Sequence, residues 1–294
     1  GMFQLANRLY GITFRPIAAP RYHAQCTTYD VVDVDDTHLG VLYLDPHPRK
    51  TKSGGAWCGN FSEQRYENGV RRAPVVGVVC NFTPPVGDTP SLLTFDEAET
   101  LFHEFGHALH CLFADVKYRG LAEVEGDFVE LPSQIMENWA TEKEYLASFA
   151  KHYQTGEVIP QELVDKIIES KNYNSGYSSV RQLQFGINDM AWHIVTEVPQ
   201  ADVVAFEKEA VKACALMPDV EGTAFAPSFG HIFSGGYAAG YYSYKWAEVL
   251  EADAFSLFKE QGIFNTEVAD SFRKNILEMG GAEDESVIYR NFRG

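Results

Sequence analysis

The chain has 294 residues, 45% hydrophobic and 22% charged, with 41 acidic against 24 basic side chains and a formal charge of -17. That composition excludes a disordered chain, a collagen-like repeat and a disulfide-dense mini-protein, and the length allows one large domain or two small ones. An acidic surface repels phosphate backbones, and no apolar run approaches the roughly 20 residues that span a bilayer, so neither nucleic acid nor membrane is expected as a partner.

Residues 2–10 place Phe3, Leu5, Ala6 and Leu9 at helical spacing. Segments 26–35 and 39–45 alternate apolar and polar side chains around Asp35, Asp36 and Thr37, which predicts a hairpin. A turn-rich stretch, PHPRKTKSGG, separates it from strands predicted at 56–61 and 74–82. The second is nearly continuous apolar, as a strand buried on both faces would be. PPVGDTPS reads as a loop. Thr94 and Glu97 have the spacing of a capping box and start a helix. Further helices are predicted over 132–153, 160–171, 178–196, 202–216 with Asp202 as N-cap, 238–262 and 266–279. Ser234, Gly235, Gly236 and Gly240 suggest a flexible loop entering the helix at 238. The expected fold is α+β and predominantly helical, with a mixed region 1–155 followed by a helical region 156–294.

Five cysteines at 26, 58, 80, 111 and 214 form no CxxC pair, which points to free thiols in a reducing, cytoplasmic compartment. No signal peptide is visible, and Gly1 ahead of Met2 reads as a cloning remnant.

The strongest chemical signal is His103-Glu104-Phe105-Gly106-His107. On a helix, His103 and His107 project from one face a turn apart, so two imidazoles can reach one ion. Glu104 then lies beside the ion and can act as base toward water. Zinc suits such a site, one ion per chain, because it is a redox-silent Lewis acid that can keep one position open. Gly106 costs about 1 kcal/mol relative to Ala inside a helix, and close approach of another backbone would explain it. His110 shares the face, but a rise of about 10 Å over seven residues takes it out of reach of the ion, so a packed helix-face histidine is expected. The third ligand has several candidates: Glu123, Glu125, Asp127, Glu130 and Glu137. Pro132 near a helix start puts Glu130 in the first turn, which favours it without excluding the others. Tyr237, Tyr241 and Tyr244 recur at i, i+4 and i+7 and would line one face if helical. A packing stripe is the ordinary reading, yet the glycines between them suit a loop that brings a hydroxyl to a developing oxyanion.

HEFGHALH, followed by DFVELPSQIMENW, resembles the M3 family of zinc metallopeptidases, which includes thimet oligopeptidase. The resemblance continues in KSGGAW and NF upstream and in FGHIFSGGYAAGYYSYKW downstream. It implies a zincin-like catalytic core, with a small sheet and the HExxH helix packed against a helical C-terminal region. It implies zinc on His103, His107 and Glu130, with Glu104 as general base. It also implies Tyr237 as oxyanion donor and His231 and Tyr244 as substrate contacts, while Tyr241, in the same loop, is expected to be substrate-binding by its place between them. Segment 54–61 is expected to be an edge strand that aligns the peptide.

SGGAWCGNF and GGYAAGYYSY are most similar to the peptidyl-dipeptidase branch, which implies release of C-terminal dipeptides from short peptides. Internal cleavage, as in an oligopeptidase, is the alternative. No acidic anchor for a free amine marks an aminopeptidase. Family members are about twice this length, with an N-terminal helical half over the cleft. The chain is therefore expected to be an isolated catalytic region whose natural partner is that half. An inactive metal-binding fragment is the further alternative.

Overall fold

The computed structural model describes residues 1–218 and 220–294. The chain opens with helix α1 (Met2–Tyr10), which buries Leu5, Ala6 and Leu9 and ends at Gly11, a left-handed residue (φ 74°) whose N–H bonds the Asn7 carbonyl. Seven strands follow: β1 (Thr13–Pro16), β2 (Thr27–Val32), β3 (His38–Asp45), β4 (Trp57–Ser62), β5 (Arg65–Glu67), β6 (Val70–Arg72) and β7 (Val75–Val79). Five of them form a sheet in the order β1-β2-β3-β7-β4. The expected hairpin is β2–β3, antiparallel, with Asp36 at φ 66° in its turn. β7 lies between β3, to which it is parallel, and β4, to which it is antiparallel. Its residues Val76, Val78 and Val79 are buried, as their continuous apolar run anticipates. β4 is left at the sheet's edge.

Two features escape the sequence pattern. β1 is short and mostly exposed, so no alternation marks it. The β5–β6 hairpin turns at Asn68-Gly69, both at positive φ, an Asn-Gly signal that its exposed, charged flanks conceal.

The described residues then form ten more α-helices: α2 (Phe95–Phe113), α3 (Leu131–Glu137), α4 (Lys143–Phe149), α5 (Gln161–Ser170), α6 (Ser175–His193), α7 (Val203–Val211), α8 (Gly230–Phe233), α9 (Ser243–Gln261), α10 (Thr266–Phe272) and α11 (Glu285–Arg293). The capping box at α2 is complete, with Thr94 and Glu97 satisfying each other's backbone N–H. Asp202 caps α7 by accepting the Ala205 N–H at 3.0 Å.

The helix expected over 132–153 is divided into α3, a 3₁₀ turn and α4. Asn138 and Thr141 bond nearby carbonyls with their own side chains, and Trp139 donates its indole N–H to the Ile263 carbonyl, so this stretch follows tertiary contacts rather than helical period. The helix expected from 238 begins at Ser243 instead, because Ala239 at φ 54° and the turn at Gly240 hold the preceding residues out of register. α8 and α11 lie outside the helices that the sequence pattern predicts. The main core joins α1, the sheet, α2, α3 and α9–α11, while a smaller aromatic cluster lies under α8 around Phe229, Ile232 and Tyr241. Among the described residues no helix is long and apolar enough to cross a membrane.

Candidate metal centre

α2 sets His103 and His107 a turn apart, their ring centroids 5.0 Å from each other. Glu130, 1% exposed, reaches them from the N-terminus of α3, and its Oε2 lies 3.2 Å from His103 Nε2 and 3.3 Å from His107 Nε2. The three potential ligand atoms fall within 4.8 Å of one another. Gly106 makes this approach possible. A Cβ there would stand 2.1 Å from the Pro132 carbonyl oxygen and 2.6 Å from Ser133 Cα, so only glycine admits the first turn of α3 against α2.

Neighbouring groups orient two of the three donors. Glu137 Oε1 lies 2.6 Å from His103 Nδ1, which turns Nε2 toward the cluster. Ser133 Oγ donates to Glu130 Oε2 at 2.7 Å, and the Tyr237 hydroxyl donates to Glu130 Oε1 at 2.5 Å. Of the acids left open by spacing, Glu130 is the one that joins the two histidines in a potential ligand group among the described residues. Glu137 faces the outer side of His103. Glu123 lines the cleft outside the cluster. The Glu125 backbone N–H bonds Glu285, and Asp127 accepts the Tyr242 hydroxyl.

Two imidazole nitrogens and one carboxylate, with Glu104 alongside, match the donor set of catalytic zinc, which uses three protein ligands and keeps a position open. Glu104 is 6% exposed, and its buried Oε2 has no hydrogen-bond partner among the described residues, which leaves it free to accept one from a bound water. The residues therefore fit a zinc-like divalent cation.

The electrostatics are those of a tight acid–base cluster. Burial disfavours charge on His103, but the Glu130 and Glu137 carboxylates outweigh it and push the imidazole up to about 10. Burial would raise Glu130, yet its bonds to His103 and His107 hold it far below the usual carboxylate range. Glu104 is raised, first by burial and further by the Glu130 charge, against the pull of His107 and His103. A cation on the three donors competes with this shared proton, because ligating imidazoles must be neutral. His110 is packed as expected. It is buried with Nε2 unpartnered, and burial pushes it down to about 4.

A cleft of about 1000 Å³ lies over the cluster. Its walls include Trp57, Cys58, Gly59 and Asn60 of β4, residues of the turn before it, and His231, Tyr237 and Tyr244. His231 is exposed on α8, and its ring centroid lies 5.9 Å from Tyr237 and 6.4 Å from Tyr244. Tyr237 and Tyr244 are 5.1 Å apart. Tyr241, 8% exposed, packs edge-on against Phe185 and Phe229 in the aromatic cluster. The three tyrosines converge through turns, not through one helix face. Burial, reinforced by the Glu130 charge, raises all three phenols, Tyr241 to about 12, so they remain donors at neutral pH.

Sequence reasoning missed the orienting roles of Ser133 and Glu137 and the part played by Asp189, which bonds the tyrosine loop. The Glu130–Ser133 spacing of three residues is a local signal for the first. Asp189 lies 50 residues from the loop and carries none.

The sequence profile of "Peptidase family M3" matches residues 1–294. Oligopeptidase A of Escherichia coli (strain K12) is 43% identical over 300 residues, covering 100% of this chain and 44% of that protein. Dipeptidyl carboxypeptidase of the same strain is 41% identical over 299 residues, with the same shares. The chain thus spans less than half the length of these relatives. Among solved structures, PZ peptidase A with an inhibitor superimposes with a TM-score of 0.55 at 18% identity, covering 85% of this chain and 39% of that one, a likeness of fold.

Proposed function

The chain belongs to peptidase family M3, and from that membership we propose that it is the zinc-binding catalytic region of a metallopeptidase acting on short peptides. The observation that carries this is the convergence of His103, His107 and Glu130 beside the unpartnered carboxylate of Glu104. In this reading the core is zincin-like. The first region, 1–155, supplies the metal ligands and the base, and the second, 156–294, supplies the tyrosine loop. The free thiols suit a reducing, cytoplasmic setting.

His103, His107 and Glu130 would hold one zinc ion, which when bound supplies Lewis acidity toward water and a peptide carbonyl. Glu104 takes the proton from the attacking water and carries it to the leaving amine. Its raised affinity for a proton suits this shuttle. Tyr237 donates its hydroxyl to the carbonyl oxygen as negative charge develops there, leaving the Glu130 oxygen it now holds. His231 and Tyr244 contact the substrate backbone from the same wall, and Tyr241 braces them. β4, as an edge strand, aligns the extended peptide by main-chain hydrogen bonds.

The specificity we propose is release of C-terminal dipeptides, with SGGAWCGNF and GGYAAGYYSY as its support. Internal cleavage remains the second reading, since the oligopeptidase relative is as similar as the dipeptidyl carboxypeptidase. The segment that relatives carry beyond this chain is the proposed partner that completes the cleft. Metal analysis of the purified protein, together with hydrolysis of an N-blocked peptide, tests the proposal. One bound zinc per chain and chelator-sensitive cleavage are expected. A protein that binds zinc but cleaves nothing, alone or joined to that segment, overturns it.

A further inference from the structure

The tyrosine loop is held by one buried acid outside the metal centre. Asp189 on α6 is 1% exposed, and its two oxygens accept separate main-chain bonds from the loop. Oδ1 takes the Ala239 N–H at 2.9 Å, and Oδ2 takes the Tyr241 N–H at 2.9 Å. Ala239 is left-handed at φ 54°, a conformation that costs a non-glycine residue stability and so needs support from its surroundings. The two amides, two residues apart and flanking the turn at Gly240, converge on this one carboxylate, as main-chain N–H groups gathered in a turn do on an anion. His193 Nδ1, one turn further along α6, lies 2.8 Å from both the Asp189 main-chain carbonyl and Asp189 Oδ1. The clamped segment is bracketed by the two cleft tyrosines: Tyr237 two residues before Ala239, and Tyr244 three residues after Tyr241.

We propose that Asp189 is a positioning residue for catalysis, setting through the Ala239 and Tyr241 amides where Tyr237 presents its hydroxyl. The inference rests on the reading of Tyr237 as a transition-state donor. A hydroxyl displaced by even a fraction of an ångström loses most of its stabilisation of a developing oxyanion, while ground-state binding by the rest of the cleft changes little. Loss of the clamp therefore lowers kcat more than it raises KM. Because Asp189 acts through Tyr237, its removal adds little once that hydroxyl is gone.

The test combines hydrogen exchange with kinetics on Asp189→Asn, Tyr237→Phe and the double variant. In the native protein the Ala239 and Tyr241 amides are expected to exchange slowly although they lie in turns. In Asp189→Asn they exchange about tenfold faster or more, since a charge-assisted acceptor is lost, while the amides of α2 are unchanged. For the same variant kcat falls about tenfold or more with KM within about twofold, zinc content is retained, and the double variant is no slower than Tyr237→Phe. Native amides at 239 and 241 that exchange like an open loop overturn the clamp, and this measurement needs no variant. Faster exchange with unchanged kcat, or multiplicative losses in the double variant, overturns the positioning role. If the native protein cleaves no peptide, the functional reading fails and the positioning role falls with it, while the exchange measurement still decides whether the clamp exists.

Discussion

Glu104 and Glu130 are buried carboxylates in one site, and their surroundings drive them in opposite directions. Glu130 touches both imidazoles and stays ionised, whereas Glu104 has a buried oxygen with no partner and a raised pKa. Glu130→Ala is therefore expected to abolish tight zinc binding, read by metal analysis after dialysis. Undiminished affinity would show that another acid is the third ligand. Glu104→Gln is expected to keep the metal and lose at least 10²–10⁴-fold in turnover, the usual worth of a general base. Near-normal turnover with zinc bound would rule that role out. His110 contributes to acid sensitivity. Its folded pKa is lowered from 6.5 to about 4, so the unfolded chain binds the extra proton in that interval. The stability that neutral His110 provides is complete above about pH 6.5 and is lost as pH falls toward 4, by up to about 3 kcal/mol. Denaturant titrations of the metal-free protein should show a shallower acid-side loss in His110→Phe, and an identical slope would remove His110 from the account.

At the scale of elements, the metal centre is a crossing of two helices. α2 is self-specifying, with a capping box at its start and an apolar stripe along its length. α3 is only seven residues long, with Pro132 in its first turn, and could not persist alone. What holds it is the glycine notch in α2. Gly106→Ala would put a methyl carbon inside the Pro132 carbonyl, so the helices must separate. Overpacking of this kind costs about 1–3 kcal/mol or more, and here the strain falls on the turn that carries Glu130. The expected outcome is lower stability together with weaker zinc affinity. Lower stability at native zinc affinity would mean that α3 can shift without moving its carboxylate.

At the scale of the whole molecule, the cleft is lined by both β4 and the tyrosine loop, and in the proposed reading both set substrate specificity. If the protein reads a free C-terminus, amidating a short peptide should sharply reduce dipeptide release, since a carboxylate forms stronger hydrogen bonds than an amide. Equal cleavage of free and amidated peptides at internal bonds would replace that specificity with an oligopeptidase's. Much of this organisation was legible in the residues. The β2–β3 hairpin, the buried β7, the capped α2 and its His103–His107 pair each declare themselves within a few residues, where alternation, caps and the 3.6-residue period operate. The need for a close backbone at Gly106 could be read the same way, though not which backbone. The position of β4 beside β7, the break of the 132–153 helix and the turn that bundles Tyr237, Tyr241 and Tyr244 could not. Nor could local pattern alone separate Glu130, a potential ligand, from Glu137, which steers His103. Such acids look alike to their near neighbours in sequence. What separates them is mostly distant in sequence, such as Tyr237, 107 residues from Glu130, and His103, 34 residues from Glu137, and Asp189 likewise acquires its part from amides some 50 residues along the chain, which only the folded packing brings to it.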